Sequence, residues 1–140
     1  MAIELVAQTP SAEVYLELRA GGGLSGYAPE AAEIGLRNSL FSVMLLDDGR
    51  PVGMGRVIGD GGCFIQVTDI VVLPEYQGQG LGKRLIAAIT DFLETELPPT
   101  AYVSLIADVP ANRLYEQFGF RETAPRSVGM SRRAGPNPFT

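Results

Sequence analysis

The sequence predicts a mixed α/β fold, a central and mostly antiparallel sheet that holds one parallel strand pair and carries helices on both faces. Three observations predict it. Short β-rich runs follow one another across hairpin signals from Leu40 to Leu73, and the apolar period then turns helical from Gly80. A further β-rich run, Tyr102–Ile106, follows that helix. A strand-helix-strand crossover of this kind sets its two strands parallel.

Residues Ile3–Ala7 suit a first strand, and Thr9-Pro10 offers an N-cap with proline at the first helical position, opening a helix through Glu13, Leu16 and Leu18. Gly21-Gly22-Gly23 ends it. A shorter helix over Pro29–Asn38 leaves 21–28, with Tyr27, as a mobile loop of the kind that lines substrate sites. Leu40–Leu46 and Val52–Ile58 form a hairpin across Asp47-Asp48-Gly49-Arg50, and Gly61-Gly62 turns the chain into Phe64–Leu73. From Gly80 the residues Leu81, Leu85, Ala88, Ile89, Phe92 and Leu93 share one helical face, until Pro98-Pro99 stops the helix. Asp108 and Pro110 open a last helix bearing Leu114, Tyr115 and Phe118, which closes at Gly119. Closing strands are expected near Phe120–Glu122 and Ser127–Ser131. One domain over residues 1–133 and a loose tail over 134–140 complete the prediction.

Bulk composition narrows the chemistry. The 140 residues are 46% apolar and 19% charged, a globular balance, and no apolar run is long enough to cross a bilayer. The N-terminus has no basic start and carries Glu4, so a cytoplasmic location and no membrane partner are expected. Cys63 is the single cysteine and there is no histidine, which excludes an intrachain disulfide and the usual His/Cys metal site, so no metal is expected. Ser-His and Cys-His nucleophile pairs are excluded as well. Cys63, beside a strand, reads as a small core residue rather than a nucleophile. A net charge of −5 argues against a nucleic-acid partner and suits a cationic small substrate. Carboxylates, tyrosine, lysine and backbone remain for catalysis.

The most informative segment runs from Val72 to Lys83, a glycine-rich turn between a strand and an amphipathic helix. Glycines let backbone N–H groups converge, and a helix N-terminus adds unpaired donors and partial positive charge, a combination that suits a diphosphate. A P-loop would need glycine at position 77 and serine or threonine at 84, where Gln77 and Arg84 stand. A dinucleotide fingerprint from Gly78 would need glycine in place of Lys83. Both rival motifs fail.

Gln77, Gly80 and Gly82 fit another pattern: Gln or Arg, two free positions, Gly, one free position, then Gly or Ala. This resembles the acetyl-CoA-binding motif of the GNAT N-acetyltransferases, and the resemblance runs from about Val52 to Met130. It implies acetyl-CoA as cosubstrate, held by Gln77, Gly78, Gln79, Gly80, Leu81, Gly82 and Lys83. It also implies that the backbone of Ile70, Val71 and Val72 pairs with the pantetheine arm as an added strand would. A second stretch, Ala107 to Phe120, is similar to the family's Asn-x-x-Ala-x-x-Leu-Tyr segment followed by Gly-Phe. Asp108 stands where many members have a cofactor-contacting asparagine, and it equally suits a helix N-cap. Tyr115 matches the tyrosine that protonates the departing thiolate, with a buried aromatic as its structural alternative.

The resemblance implies direct attack by an amine in a ternary complex, with a backbone N–H near Val72 stabilising the oxyanion. The strand Tyr102–Ile106 holds no carboxylate to act as base. Asp69 is the better candidate, because it interrupts an apolar strand where burial could raise its pKa; fixation by Arg56 or by backbone donors is the alternative. Tyr27 and Arg56 are candidates for the acceptor side, with Glu30 and Asp60 behind them. Ser104 to Asp108, Gly119-Phe120 and Val128-Gly129-Met130 look like arylalkylamine or serotonin N-acetyltransferases, which implies a small aryl- or alkylamine acceptor. Protein or peptide amines, a non-catalytic CoA sensor and a plain structural domain are the alternatives. Family resemblance further implies a homodimer.

Overall fold

Sequential antiparallel strands are joined by hairpins, and one hairpin here is especially clear. Phe41–Asp47 and Arg50–Gly59 pair antiparallel across a turn in which Asp48 (φ 48°) and Gly49 (φ 84°) are both left-handed. That is the tight hairpin whose twist matches its strands. The structure, a computed structural model, describes residues 3–136, and the chain divides into two compact units, Met1–Leu105 and Ile106–Thr140.

In the first unit, the described residues form a five-stranded sheet in the order β1-β2-β3-β4-β5: Ile3–Val6, Phe41–Asp47, Arg50–Gly59, Phe64–Val72 and Tyr102–Ser104. The first three pairings are antiparallel and β4 with β5 is parallel, as the crossover requires. Helices α1 (Ala12–Gly21), α2 (Pro29–Arg37) and α3 (Leu81–Glu96) cover the sheet. Two neighbouring residues of β3 show that both faces are used. A Cβ built on Gly55 would meet Ile89 of α3, whereas the next residue, Arg56, reaches the Gly35 carbonyl of α2. On α3, Leu81, Leu85, Ile86 and Ile89 are buried, and each such side chain contributes about 1.5–3 kcal/mol of burial. Phe92 extends this face by stacking on Phe41, with ring centroids 4.7 Å apart.

Some boundaries move. Ser11, not Thr9, caps α1 by accepting from the Val14 N–H at 3.2 Å, so Pro10 lies before the helix rather than inside it. Cys63 is exposed rather than in the core.

A bulge in β4 shapes the ground beneath the glycine turn. Arg56 pairs with Thr68 and Met54 with Val71, so Gly55 alone opposes both Asp69 and Ile70. Asp69 takes up the extra residue in a left-handed conformation, φ 59°. Thr68, opposite Arg56, already faces α1 and α2, so simple alternation would send Asp69 towards α3. The bulge turns it back, and its carboxylate meets Tyr15 and Arg19 of α1.

The second unit contains one short helix among its described residues, α4 (Asn112–Glu116). Ala111 occupies the N-cap with no side-chain hydrogen bond, and Asp108 contributes only its carbonyl, to the Ala111 N–H. Asp108 is therefore not the cap that its side-chain type suggested. The chain turns at Gly119 (φ 90°), and Tyr115 and Phe120 meet edge to face. The closing strands expected near 120–122 and 127–131 do not form; Phe120 is half-buried, the others are exposed, and all are irregular, with a Ser127 N–H to Thr123 carbonyl turn instead. Of the expected tail 134–140, the last four residues lie outside the described residues.

Candidate active site

The turn after β4 is built from the strand outward. A 3-10 turn, Pro74–Tyr76, follows Leu73, and the buried Tyr76 donates its hydroxyl to Asp47 at the end of β2. That hydrogen bond pushes the Tyr76 hydroxyl pKa up, as does partial burial. Gln77 then folds back, its Nε2 donating to the Val72 carbonyl at 3.0 Å. The turn is thus tied to two strands before the glycines begin.

Gly78 (φ 81°) and Gly80 (φ 77°) are both left-handed, and a Cβ built on either would have nothing within 4 Å. Packing does not require glycine at these two places; the backbone conformation does, and the space beside both is open. Gly80 is the N-cap of α3 and offers no side chain, and the first helical bond runs from the Arg84 N–H to its carbonyl. The amides of Leu81, Gly82 and Lys83 precede that bond and have no helical partner. An uncapped start on a helix of 16 residues, with the exposed Lys83 in its first turn, presents donors and positive potential to an anion. Leu81 is buried and anchors the turn on the sheet, and Arg84 instead reaches across to the Ile3 carbonyl at 3.0 Å.

The strand edge beside this turn is open. Pairing with β5 covers Phe64 to Gln66, so among the described pairings Val67–Val72 has no ladder partner on that side. The Leu73 N–H donates to Val52 on β3, so by strand alternation the Val72 N–H points the other way, to the open edge. The Val71 side chain lies where Gly22, at the end of α1, would carry a Cβ, at 2.0 Å, so helix and strand touch because Gly22 has none. Ile70, Val71 and Val72 therefore form a backbone edge leading into the turn from 77 to 83.

Just upstream lies a buried charged cluster. Asp69 accepts from the Tyr15 hydroxyl at 2.9 and 3.0 Å, from Arg19 Nη1, and from Arg56 Nε at 2.8 Å. The side chains of Asp69, Arg19 and Arg56 are 2%, 9% and 8% exposed. Arg56 also donates to the Gly35 carbonyl and to Ser39 Oγ, and so joins α2 to the sheet. The geometry favours the second of the two readings of Asp69, since its oxygens are occupied by donors, two of them cationic. Tyr27, on the loop between α1 and α2, is 43% exposed and lies over the Arg19 guanidinium, 4.8 Å from carbon to ring centroid. Arg56, Asp69 and Tyr27 thus come together, although Tyr27 does so through Arg19.

Sequence patterning alone does not single out Tyr15 and Arg19. Their signal is an arginine four residues after a tyrosine, on the helix face that also carries Leu18; a buried cation needs a partner. Burial first, then the Asp69 charge, pushes the Tyr15 hydroxyl from 10.0 up to about 12. Below pH 10 both folded and unfolded states keep this proton; between there and about 12 only the folded state does, so stability falls with rising pH across that window. Denaturant midpoints at pH 9 and 11.5 are expected to show a larger alkaline loss for the native protein than for Tyr15→Phe. Equal losses would separate Tyr15 from the effect.

Asp60 has a structural task. It accepts from the backbone N–H groups of Gly62, Cys63 and Phe64 at 2.8–3.1 Å, which hold its pKa below the usual carboxylate range. Glu30 lies in the first turn of α2. In the second unit, burial and then the Asp108 charge push the Tyr115 hydroxyl upward, which keeps it protonated. No helix among the described residues is long and apolar enough to cross a membrane.

Comparison with known proteins identifies the family. The family described as "Acetyltransferase (GNAT) domain" matches residues 26–130. A solved structure from meticillin-resistant Staphylococcus aureus, named "Probable Acetyltransferase", is 45% identical with a TM-score of 0.89, covering 94% of this chain and 99% of its own. The "GCN5-related N-acetyltransferase 2, chloroplastic" of Arabidopsis thaliana is 35% identical over 80 residues, 56% of this chain and 30% of its own length. The "Histone acetyltransferase TAP1" of Glycine max is 35% identical over 82 residues, 58% of this chain and 34% of its own length. The chain thus spans about a third of the length of these curated relatives. With the motif turn, the half-open strand pair and a family match over three quarters of its length, the chain belongs to the GNAT acetyltransferase family.

Proposed function

We propose that this protein is an acetyl-CoA-dependent N-acetyltransferase that transfers the acetyl group by direct attack of an amine in a ternary complex. The observation that carries the reading is the uncapped start of α3 behind two left-handed glycines whose Cβ positions open into empty space. These residues fit a diphosphate: the amides from Gly78 to Lys83 hold it, and the Lys83 ammonium adds charge. Ile70 to Val72 pair with the pantetheine arm, and the Val72 N–H receives the carbonyl oxygen as it gains charge. The C–N bond forms as the C–S bond breaks. Tyr115, held protonated, donates to the departing thiolate and recovers its proton from solvent; the amine proton leaves through water. Asp69 acts in this reading by fixing the two arginines rather than by taking a proton.

The acceptor is a small aryl- or alkylamine that enters beside the loop carrying Tyr27. What supports this is a partly exposed aromatic ring held in place at that loop. A protein amine is the second reading, favoured by the name of the soybean relative. A panel of arylalkylamines, alkylamines and lysine or N-terminal peptides, scored by thiol release, tests both. Coenzyme A binding with no thiol release from any acceptor would point to a sensor instead. Tyr115→Phe keeps the ring contact with Phe120 and is expected to lower turnover about a hundredfold with coenzyme A affinity unchanged. Unaltered turnover would remove Tyr115 from the mechanism.

A further inference from the structure

The geometry points to Arg19 as a positioning residue, one that locks the loop between α1 and α2 onto β4 and so sets the affinity for the acceptor. The inference rests on the transfer reading above. The loop, residues 22–28, contains Gly22, Gly23 and Gly26, and Gly23 is left-handed at φ 78°. Such a segment has much backbone entropy to lose on ordering. Its first turn is closed by the Leu24 N–H on the Arg19 carbonyl at 2.8 Å. Beyond that turn the Arg19 side chain itself takes over. Nε donates to the Ser25 carbonyl at 2.8 Å, Nη2 donates to Ser25 Oγ at 3.2 Å, and the guanidinium plane carries the Tyr27 ring.

The same guanidinium turns its remaining nitrogen, Nη1, to Asp69. Asp69 is the bulge residue immediately before Ile70, the first residue of the open edge. One side chain therefore connects the acceptor-side loop to the strand that leads into the glycine turn. Arginine suits this task because its planar fork can hold a carboxylate, a carbonyl and a hydroxyl at once. Lysine, a point charge on a flexible stem, would answer the Asp69 charge but not hold Ser25. Arg56 keeps its own bond to Asp69 and does not depend on the loop.

Arg19→Lys separates the latch from the buried charge, and Ser25→Ala removes one latch bond while leaving the Arg19–Asp69 pair intact. Three readouts apply: hydrogen exchange at residues 22–28 and 70–82, coenzyme A affinity by calorimetry, and acceptor KM against kcat. In Arg19→Lys both Ser25 hydrogen bonds are lost, and loop exchange and acceptor KM are each expected to rise at least about tenfold, the shift that losing even one charge-assisted hydrogen bond produces. Coenzyme A affinity and kcat should stay within about twofold, and Ser25→Ala should move the same two quantities by less. Unchanged exchange at 22–28, exchange rising equally at 70–82, or a loosened loop with unaltered KM would each overturn the latch. If the unaltered protein acetylates no amine, the transfer reading fails, and the exchange comparison alone still decides whether Arg19 holds the loop.

Discussion

Replacing Asp69 by alanine is expected to lower stability by about 3–5 kcal/mol, because it leaves two buried guanidiniums with no opposing charge. The carboxylate is also where α1 and the sheet meet: Tyr15 and Arg19 approach it from the helix and Arg56 from β3. Urea denaturation followed by circular dichroism would measure the loss. Asp69→Asn is the more informative partner, since asparagine tolerates the left-handed backbone at this position and keeps an acceptor for Tyr15. It removes charge without adding strain, and most of the loss should persist. A variant within about 0.5 kcal/mol of the native protein, the range of an ordinary surface change, would mean that the cluster is not held as described. The same variant separates the two readings of Asp69. A lost general base would depress kcat by about 100- to 10,000-fold in a protein that still binds coenzyme A, whereas a lost anchor shows first in stability and in the loop.

The second large effect is on coenzyme A affinity. Gly78→Ala combined with Gly80→Ala should weaken binding by about 2–4 kcal/mol, a factor of roughly 30 to 1,000, from the left-handed strain at two residues. Both glycines are exposed and have nothing within 4 Å of a Cβ, so in the variant the ligand-free turn has room to leave the left-handed conformation; the strain is then met only when coenzyme A restores it, and the melting temperature should move little. Calorimetric titration beside thermal melting tests the pair of statements together. Undiminished affinity would remove the turn from the site, and a large drop in melting temperature would show that the glycines serve the fold instead.

Much of the sheet is legible in the residues themselves. β-rich runs and the Asp48-Gly49 turn mark β2 and β3 to within a few residues, because a tight hairpin has few solutions. The face of α3 is legible for the same reason, with Leu81, Leu85 and Ile89 four residues apart. The glycine turn announces itself by residue type. What stays hidden depends on contacts far apart in sequence. Asp69 and Tyr15 are 54 residues apart, and nothing local to either shows that a bulge will aim the carboxylate at α1. Ser11 outcompetes Thr9 as the cap although both are good capping residues. After Gly119 the residues have the letters of strands, yet beyond the half-buried Phe120 they are exposed, and they form no ladder among the described residues, since β propensity counts only where a neighbouring strand and burial support it.

The surplus residue in β4 gives the strand two opposite phases. From Phe64 to Val67 the odd-numbered side chains look towards the long helix; from Asp69 onward, with Val71 and Leu73 lying under Gly22 and Gly21, the odd-numbered ones look towards the short helices. Superposing this segment by its apolar rhythm alone on a strand without the extra residue would therefore match one half and misassign the other by one position. Against such a strand the two halves align as separate blocks, joined at Thr68, before any residue of the open edge from Ile70 to Val72 can be equated.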